Sequence, residues 1–187
     1  IKKMKKTGIL LLMLSFNFAQ GQKIEVTPNG IDDKLNNEKN YIGIKAENKT
    51  SIKLYTETIK YLVKKYKNPE KVIKSKIENE TIILDTYKSH FIKVKNGFAK
   101  VLFDAKYRIE LSFKDNKVKY EILSLTMQNK ANYSLSFTGK GMSFYIFKSK
   151  DNSLKQKQAK EDIESYFNNI ILDYKTFLNE KETKEDW

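Results

Sequence analysis

The chain has 187 residues, which is enough for one domain with a substantial core and too few for two comfortable ones. Hydrophobic residues make up 40% of it and aromatic residues 12%, so the composition excludes a wholly disordered protein. The net charge of +13 favours an anionic partner, such as nucleic acid, phospholipid headgroups or acidic glycan, and the lack of cysteine excludes disulfides.

The first 21 residues have the pattern of a signal peptide. Lysines near the start precede an unbroken apolar run at 9–14, and Ala19-Gln20-Gly21 supplies small residues at the spacing of a cleavage site. The apolar run is too short to span a bilayer, and no second run follows it in the sequence. We therefore expect an exported protein, periplasmic or secreted, that is cleaved near Gly21 and has no transmembrane anchor in its mature form.

The mature chain remains basic, but its single arginine argues against nucleic acid as a partner. Four lysines lie in the leader, which leaves 32 basic against 23 acidic residues, a net charge of +9. Arg108 is the only arginine. Because recognition of bases and phosphates depends strongly on the planar guanidinium group, a surface built from lysine alone is poorly suited to it.

The mature chain begins with residues that predict little regular structure and continues with a strand and a helix. Residues 22–40 are polar and contain Pro28, which predicts a linker or an N-terminal arm. A short strand is predicted at 41–46, and a helix runs from cap candidates at 48–51 to a stop at Pro69. The apolar residues predicted to form the buried stripe of this helix are Ile52, Tyr55, Ile59, Leu62, Val63 and Tyr66.

Beyond Pro69 the apolar residues alternate with polar ones, which predicts four strands in an antiparallel meander. The strands are expected at 72–78, from 82 onward, at 99–113 and at 118–122, joined by turns at Asn79-Glu80, Asn96-Gly97 and Asp115-Asn116. One face of the third strand is apolar and predicted to be buried, while the other is wet. The wet positions are Lys100, Leu102, Asp104, Lys106, Arg108 and Glu110. At Ile122-Leu123 the alternation slips by one residue, which indicates a bulge.

The segment 128–152 is the least regular part of the sequence and predicts either a hairpin or an aromatic-rich loop. It carries the aromatic residues that we take as a candidate interaction surface: Tyr133, Phe137, Phe144, Tyr145 and Phe147. The alternative is that these rings pack beneath a C-terminal helix. That helix has a wide apolar stripe formed by Ile163, Phe167, Ile170, Ile171, Tyr174, Phe177 and Leu178. The charged residues 181–187 are expected to be a frayed tail.

These elements predict one α+β domain over residues 41–180. Tight hairpins make its sheet antiparallel, with about five strands, and two helices with one apolar stripe each pack on one sheet face. The opposite face is expected to be solvated, with opposite charges paired across it.

Two stretches of the chain resemble a known family. The helix ends at Tyr66-Lys67-Asn68, the run Pro69-Glu70-Lys71-Val72-Ile73 follows, and an alternating strand through Ile109-Glu110-Leu111 is paired with Lys117-Val118-Lys119-Tyr120-Glu121-Ile122. Over 41–127 the chain is similar to exported bacterial domains of unknown function with a fold like the TATA-box-binding protein. Members typically have a glycine in the turn filled here by Asp115-Asn116, and asparagine tolerates the same left-handed backbone. The resemblance implies a fold and an export route, and it implies no catalytic residue and no function.

Candidate chemistry in the sequence is sparse. His90 is the only histidine, and it would be a general base or part of a triad only with Asp85 or Asp104. One histidine without cysteine does not predict a transition-metal site, and Gly139-Lys140-Gly141 lacks the context of a phosphate-binding loop. We therefore expect no cofactor and no metal.

Three functions fit this sequence. The first is a non-enzymatic binding or protein-interaction module of the bacterial envelope, which could self-associate through a sheet edge or the aromatic segment. The second is a small hydrolase that uses His90. The third is a lysine-rich protein that associates with anionic envelope surfaces.

Overall fold

The structure, a computed structural model, describes residues 23–36 and 39–180. The predicted signal peptide and the predicted frayed tail lie outside these residues. In chain order the elements are β1 (Ile24–Thr27), β2 (Gly30–Asp33), β3 (Tyr41–Lys45), α1 (Ser51–Lys65), α2 (Pro69–Val72), β4 (Ile73–Ile77), β5 (Thr81–Asn96), β6 (Ala99–Lys114), β7 (Lys117–Gln128), β8 (Ser134–Gly139), β9 (Phe144–Lys148) and α3 (Lys157–Asn179). In this part of the chain, no helix has the length and apolar character needed to cross a membrane.

A seven-stranded sheet forms the centre of the described structure. Its strands lie in the order β4-β5-β6-β7-β8-β9, and β3 shares one edge of β7 with β8. Every pairing is antiparallel except that of β8 with β9. The predicted α+β fold with a mostly antiparallel sheet is therefore confirmed. The expected number of about five strands was wrong, because residues 128–152 add two more strands. The expected number of two helices was also wrong, because α2 is a third helix, of a single turn.

The three long strands β5, β6 and β7 form the meander that the alternating sequence predicted. Arg108 pairs with Ser124 and Ile109 pairs with Ile122, which leaves Leu123 as an extra residue in β7. The bulge predicted at this point is confirmed. Because one extra residue reverses the facing of a strand, the bulge keeps the apolar residues of both halves of β7 on the buried side.

The helices α1 and α3 cover one face of this sheet. From residue 103 onward the inward side chains of β6 are all buried, namely Phe103, Ala105, Tyr107, Ile109, Leu111 and Phe113. From α1 the ring of Tyr55 meets Phe113 at 5.7 Å between centroids, and from α3 the ring of Phe167 meets Tyr107 at 5.1 Å. Both helices thus pack on the apolar side of the sheet, as predicted.

The stripe predicted for α3 is confirmed, whereas the stripe predicted for α1 was partly wrong. Ile52 and Val63 are each 60% exposed. The residues that α1 buries are Leu54, Tyr55, Glu57, Thr58, Tyr61 and Leu62. Two of these are hydroxyl residues bonded to α3: Thr58 shares a hydrogen bond with Tyr174 at 2.5 Å, and Tyr61 donates to Asp173 at 2.8 Å. Apolar spacing alone missed this face because part of it is polar.

The segment assigned from sequence to a linker or N-terminal arm contains the hairpin β1–β2. Ile24 and Val26 are buried, and their backbone N–H groups each donate to a side-chain oxygen of α3 at 2.9 Å. The oxygens belong to Asn168 and Glu164. The alternation in 24–27 and the turn before Gly30 favour this hairpin, and α3 satisfies its open edge.

The segment 128–152 is neither an antiparallel hairpin nor a loop. Its strands β8 and β9 are parallel and are joined by residues 140–143, a connection much shorter than parallel strands usually require. Gly141 lies at a φ of +65°, which favours glycine at this reversal. A Cβ at Gly139 would lie 2.7 Å from Cδ1 of Tyr145, so only glycine permits the two strands to approach this closely.

Candidate functional site

The sheet face opposite the helices is open to solvent, and the charges at its centre are paired. Arg108 donates to Asp85 through Nε and Nη2 at 2.6 and 2.7 Å. Lys119 lies 2.7 Å from a carboxylate oxygen of Glu121 and 3.4 Å from one of Glu110. The predicted pairing of opposite charges across this solvated face is confirmed at Arg108 and Glu110. These pairs are worth little individually because water screens them.

A polar recess of about 140 Å³ interrupts this face where β5, β6 and β7 run side by side. Cross-strand partners supply its walls: Tyr87 lies opposite Lys106, and Asp104 lies opposite Gln128. Tyr87 is 58% exposed, so its ring presents a free surface at the rim. The complete lining is Tyr87, Asp104, Ala105, Lys106, Thr126, Gln128 and Asn129.

A distortion of β5 holds this recess in shape. The register between β5 and β6 shifts between Lys88 and Ile92, and within the shifted segment His90 takes a φ of +49°. A positive φ is rare for a residue other than glycine and persists only where its surroundings stabilise it. The stabilising contact is a hydrogen bond of 2.7 Å from the backbone N–H of His90 to Asp104 Oδ1.

Asp104 is the electrostatic centre of the recess. The hydroxyl of Tyr87 donates to its Oδ2 at 2.6 Å, while Oδ1 accepts from His90. The Tyr87 hydrogen bond and the His90 backbone hydrogen bond lower the pKa of Asp104 below its usual value. The same contact with Asp104 raises the pKa of Tyr87. The recess therefore keeps one fixed carboxylate and one protonated phenol throughout the neutral range.

Comparison with solved structures identifies the fold. A DUF4468 family protein from Bacteroides ovatus matches over 77% of this chain and 87% of its own length, with a TM-score of 0.53 and 12% sequence identity. The fold is shared. At this identity the likeness extends to the fold alone and says nothing of function.

A second solved structure, a TBP-like protein from Parabacteroides distasonis, matches over 74% of this chain and 90% of that one, at 13% identity. Its TM-score of 0.44 is too low to support an inference. The DUF4468 family protein agrees with the resemblance to bacterial domains of unknown function. No family model and no curated protein matches the chain.

Both carboxylates that a catalytic role for His90 could use accept hydrogen bonds from groups other than its imidazole. Asp85 is held by Arg108, whose hydrogen bond lowers the pKa of the carboxyl group. Asp104 contacts His90 through the backbone, and its second oxygen is taken by Tyr87. Among the described residues, no three His, Cys, Asp or Glu side chains are grouped so that they could hold a metal ion.

The five aromatic residues of the candidate interaction surface do not share one exposure. Tyr145 and Phe147 are buried, Phe137 and Phe144 are half-buried, and Tyr133 is 61% exposed. The ring of Phe144 contacts Phe103 at 5.3 Å between centroids. Most of this set therefore closes the core at one end of the sheet, and Tyr133 is the member that faces water.

The sequence placed Asp104 and Lys106 on the solvated face of a strand, but it did not predict the recess that they line. Tyr87 gives the clearest signal in retrospect, because it is an aromatic residue at a solvent-facing position, two residues beyond Asp85 on the same side of β5. The other walls depend on the register of three strands. Alternation predicts which way a residue points, and it does not predict which residue lies opposite.

Proposed function

We propose that the protein is an exported, non-enzymatic binding module of the bacterial envelope, and that the recess on its open sheet face binds a hydroxyl-rich ligand such as a glycan unit. The observation that carries the proposal is the combination of an exposed ring with convergent polar groups. The ring of Tyr87 provides a flat apolar surface, and Asp104, Thr126 and Gln128 provide hydrogen-bond acceptors and donors beside it.

The chemistry of the recess favours binding over catalysis. Both oxygens of Asp104 already accept hydrogen bonds, so its lowered pKa fits a fixed acceptor better than a proton carrier at neutral pH. Asp85, the other carboxylate considered as a partner for His90, is bidentate with Arg108. A carboxylate of this kind instead suits ligand hydroxyl groups, to which it can offer its remaining lone pairs.

Export is supported by the leader pattern. We expect the protein recovered from the producing cell to begin near Gln22, because Ala19-Gln20-Gly21 has the small residues that signal cleavage requires. Intact-mass measurement of the purified protein checks this. Recovery of cytoplasmic protein that still carries the leader would contradict export. It would not affect the proposal of binding at the recess, which is tested separately.

Binding at the recess is tested with immobilised neutral hexose oligomers and soluble peptidoglycan fragments as probes. We expect Tyr87→Ala to weaken binding of the bound probe by about tenfold or more, because an exposed aromatic anchor typically contributes about 2 kcal/mol to a site. Tyr87→Phe keeps the ring and loses only the hydrogen bond to Asp104, so it is expected to keep most of the affinity. Titration calorimetry measures each affinity.

The matched control is Tyr133→Ala. Tyr133 is exposed to nearly the same extent as Tyr87, at 61% against 58%, and it is not part of the recess lining. An equal loss of affinity in both alanine variants, or no binding of any probe by the unmodified protein, would remove the proposal.

A further inference from the structure

The strands β5 and β6 extend beyond the rest of the sheet as a two-stranded arm. β4 pairs with β5 only through residues 73–77, and β7 pairs with β6 only from Asp104 onward. Residues 92–103 therefore have no strand beside them, although they pair with each other through to the turn. The turn is Gly97-Phe98, with Gly97 at a φ of +60° as a tight hairpin requires.

One face of the arm anchors it to the body of the protein. Ile92, Val94 and Phe103 are buried on this face. The ring of Phe144 packs on Phe103, and the side chain of Gln156 donates to the backbone oxygen of Lys95 at 3.3 Å. The arm is therefore held in a fixed orientation, and its other face is presented to solvent.

The outer face of the arm is basic. It carries Lys93, Lys95 and Lys100, with Leu102 lying opposite Lys93. Lys95 and Lys100 are direct cross-strand partners, an arrangement that destabilises a sheet because like charges repel. Within the described chain no carboxylate lies within ion-pair distance of any of these three lysines. This differs from the centre of the same face, where the charges of Arg108 and Lys119 are paired.

The tip of the arm is apolar. Phe98 is fully exposed, and Leu102 is 41% exposed on the basic face. Lysines on a free strand have a simpler role, since they discourage pairing with another chain. That role accounts for the lysines, and it does not account for a phenyl ring held entirely in water at the tip.

We propose that this arm docks on an anionic phospholipid surface, with Phe98 inserted at the boundary of headgroups and acyl chains and Lys93, Lys95 and Lys100 on the headgroups. Charge complementarity selects an anionic partner, because the three lysines repel one another until such a surface neutralises them. The exposed ring selects lipid among anionic partners. An acidic polysaccharide or nucleic acid backbone offers the lysines the same charge but gives a phenyl tip no apolar medium.

Binding to vesicles of phosphatidylglycerol and phosphatidylcholine tests this, with pure phosphatidylcholine vesicles for comparison. We expect the protein to bind the anionic vesicles, and we expect Lys93→Gln/Lys95→Gln/Lys100→Gln to weaken that binding by roughly 100-fold, at about 1 kcal/mol for each lysine. Phe98→Ser is expected to weaken it about tenfold. All variants are compared in the same processed form, established by mass spectrometry, so that residues 1–21 contribute equally to each measurement.

Two control variants match these changes elsewhere on the surface. Lys60→Gln/Lys67→Gln/Lys71→Gln removes the same charge from exposed positions outside the arm, and Val63→Ser removes an exposed apolar side chain from α1. Both controls are expected to change vesicle binding by less than about threefold, because charges more than a Debye length from the membrane are screened.

A direct probe of insertion uses Phe98→Trp in a Trp187→Phe background, which leaves a single tryptophan at the tip. A shift of its emission to shorter wavelength and quenching by brominated lipid chains would support insertion. Equal losses in the arm and control lysine variants, or a tryptophan that stays in water on bound vesicles, would overturn the proposal. Failure to bind any anionic vesicle would also overturn it, and none of these results bears on ligand binding at the recess.

Discussion

Above pH 10 the protein is expected to unfold in a cooperative transition as its buried tyrosines ionise. Burial raises the pKa of five phenols well above their ordinary value near 10, and that of Tyr66 is raised to about 12. The others are Tyr61, Tyr120, Tyr166 and Tyr174. Hydrogen bonds add to the effect for Tyr61, which donates to Asp173, and for Tyr166, which is bonded to Tyr107.

The direction of the pH dependence follows from these shifts. A phenol whose pKa is higher in the folded than in the unfolded protein favours folding fully below pH 10, and this contribution is lost as the pH rises through the folded pKa. At pH 11 each fully buried phenol favours unfolding by about 1.4 kcal/mol. Tyr61, Tyr120 and Tyr174 are 7%, 3% and 1% exposed, so together they contribute about 4 kcal/mol at that pH. This is a large part of the stability of a typical domain.

Circular dichroism and the absorbance of ionised tyrosine, recorded together as the pH is raised, measure this transition. We expect both signals to change at the same pH, because the phenols gain access to hydroxide only as the core opens. Lysines titrate in the same range, and a comparison with Tyr120→Phe isolates the phenol. This variant is expected to move the transition to higher pH, while Tyr133→Phe at an exposed position leaves it unchanged.

Tyr120→Phe is also expected to be at least as stable as the unmodified protein at pH 7. The hydroxyl of Tyr120 is buried without a hydrogen-bond partner among the described residues, so removing it relieves an unsatisfied polar group. Tyrosine absorbance that rises smoothly near pH 10, without any change in circular dichroism, would contradict the predicted coupling between ionisation and unfolding.

The meander was predictable from sequence because every part of its pattern is local. The apolar residues at odd-numbered positions in 99–113 predict the buried face, and Asp115-Asn116 predicts the turn. The change in alternation at Leu123 predicts the bulge. The face of α1 was less predictable. Its buried Thr58 and Tyr61 depend on a hydroxyl group and a carboxylate of α3, those of Tyr174 and Asp173, that lie more than 100 residues away.

The parallel pairing of β8 with β9 could not be predicted in the same way. Alternation gives the facing of a strand and leaves its direction relative to a neighbour open. The register, with Leu135 beside Phe144 and Gly139 beside Lys148, distinguishes this pair from a hairpin, and it is known only once both strands are placed. The recess could not be predicted from the sequence for the same reason. It depends on an irregular register that brings the backbone of His90 to Asp104.

The removal of one ammonium group, in Lys49→Met, is expected to lower the free energy of unfolding by about 2–4 kcal/mol. Lys49 Nζ lies 2.7 Å from Glu57 Oε2 and donates to the backbone oxygen of Leu178 at 2.6 Å. It thereby neutralises a glutamate that is only 7% exposed on α1 and satisfies a carbonyl in the last turn of α3. Methionine preserves most of the side-chain volume, so the expected loss comes from the charge and its hydrogen bonds.

Urea unfolding followed by circular dichroism measures this loss, and a second substitution identifies its cause. Lys53 remains 3.7 Å from Glu57 Oε1, which keeps the expected loss below that of a wholly unpaired buried charge. In Lys49→Met/Glu57→Leu no carboxylate is left to neutralise, and most of the lost stability is expected to return. If Lys49→Met unfolds at the same urea concentration as the unmodified protein, Lys49 does not stabilise the contact between the two helices. A double variant no more stable than Lys49→Met would instead assign the loss to the carbonyl of Leu178, and thus to the end of α3.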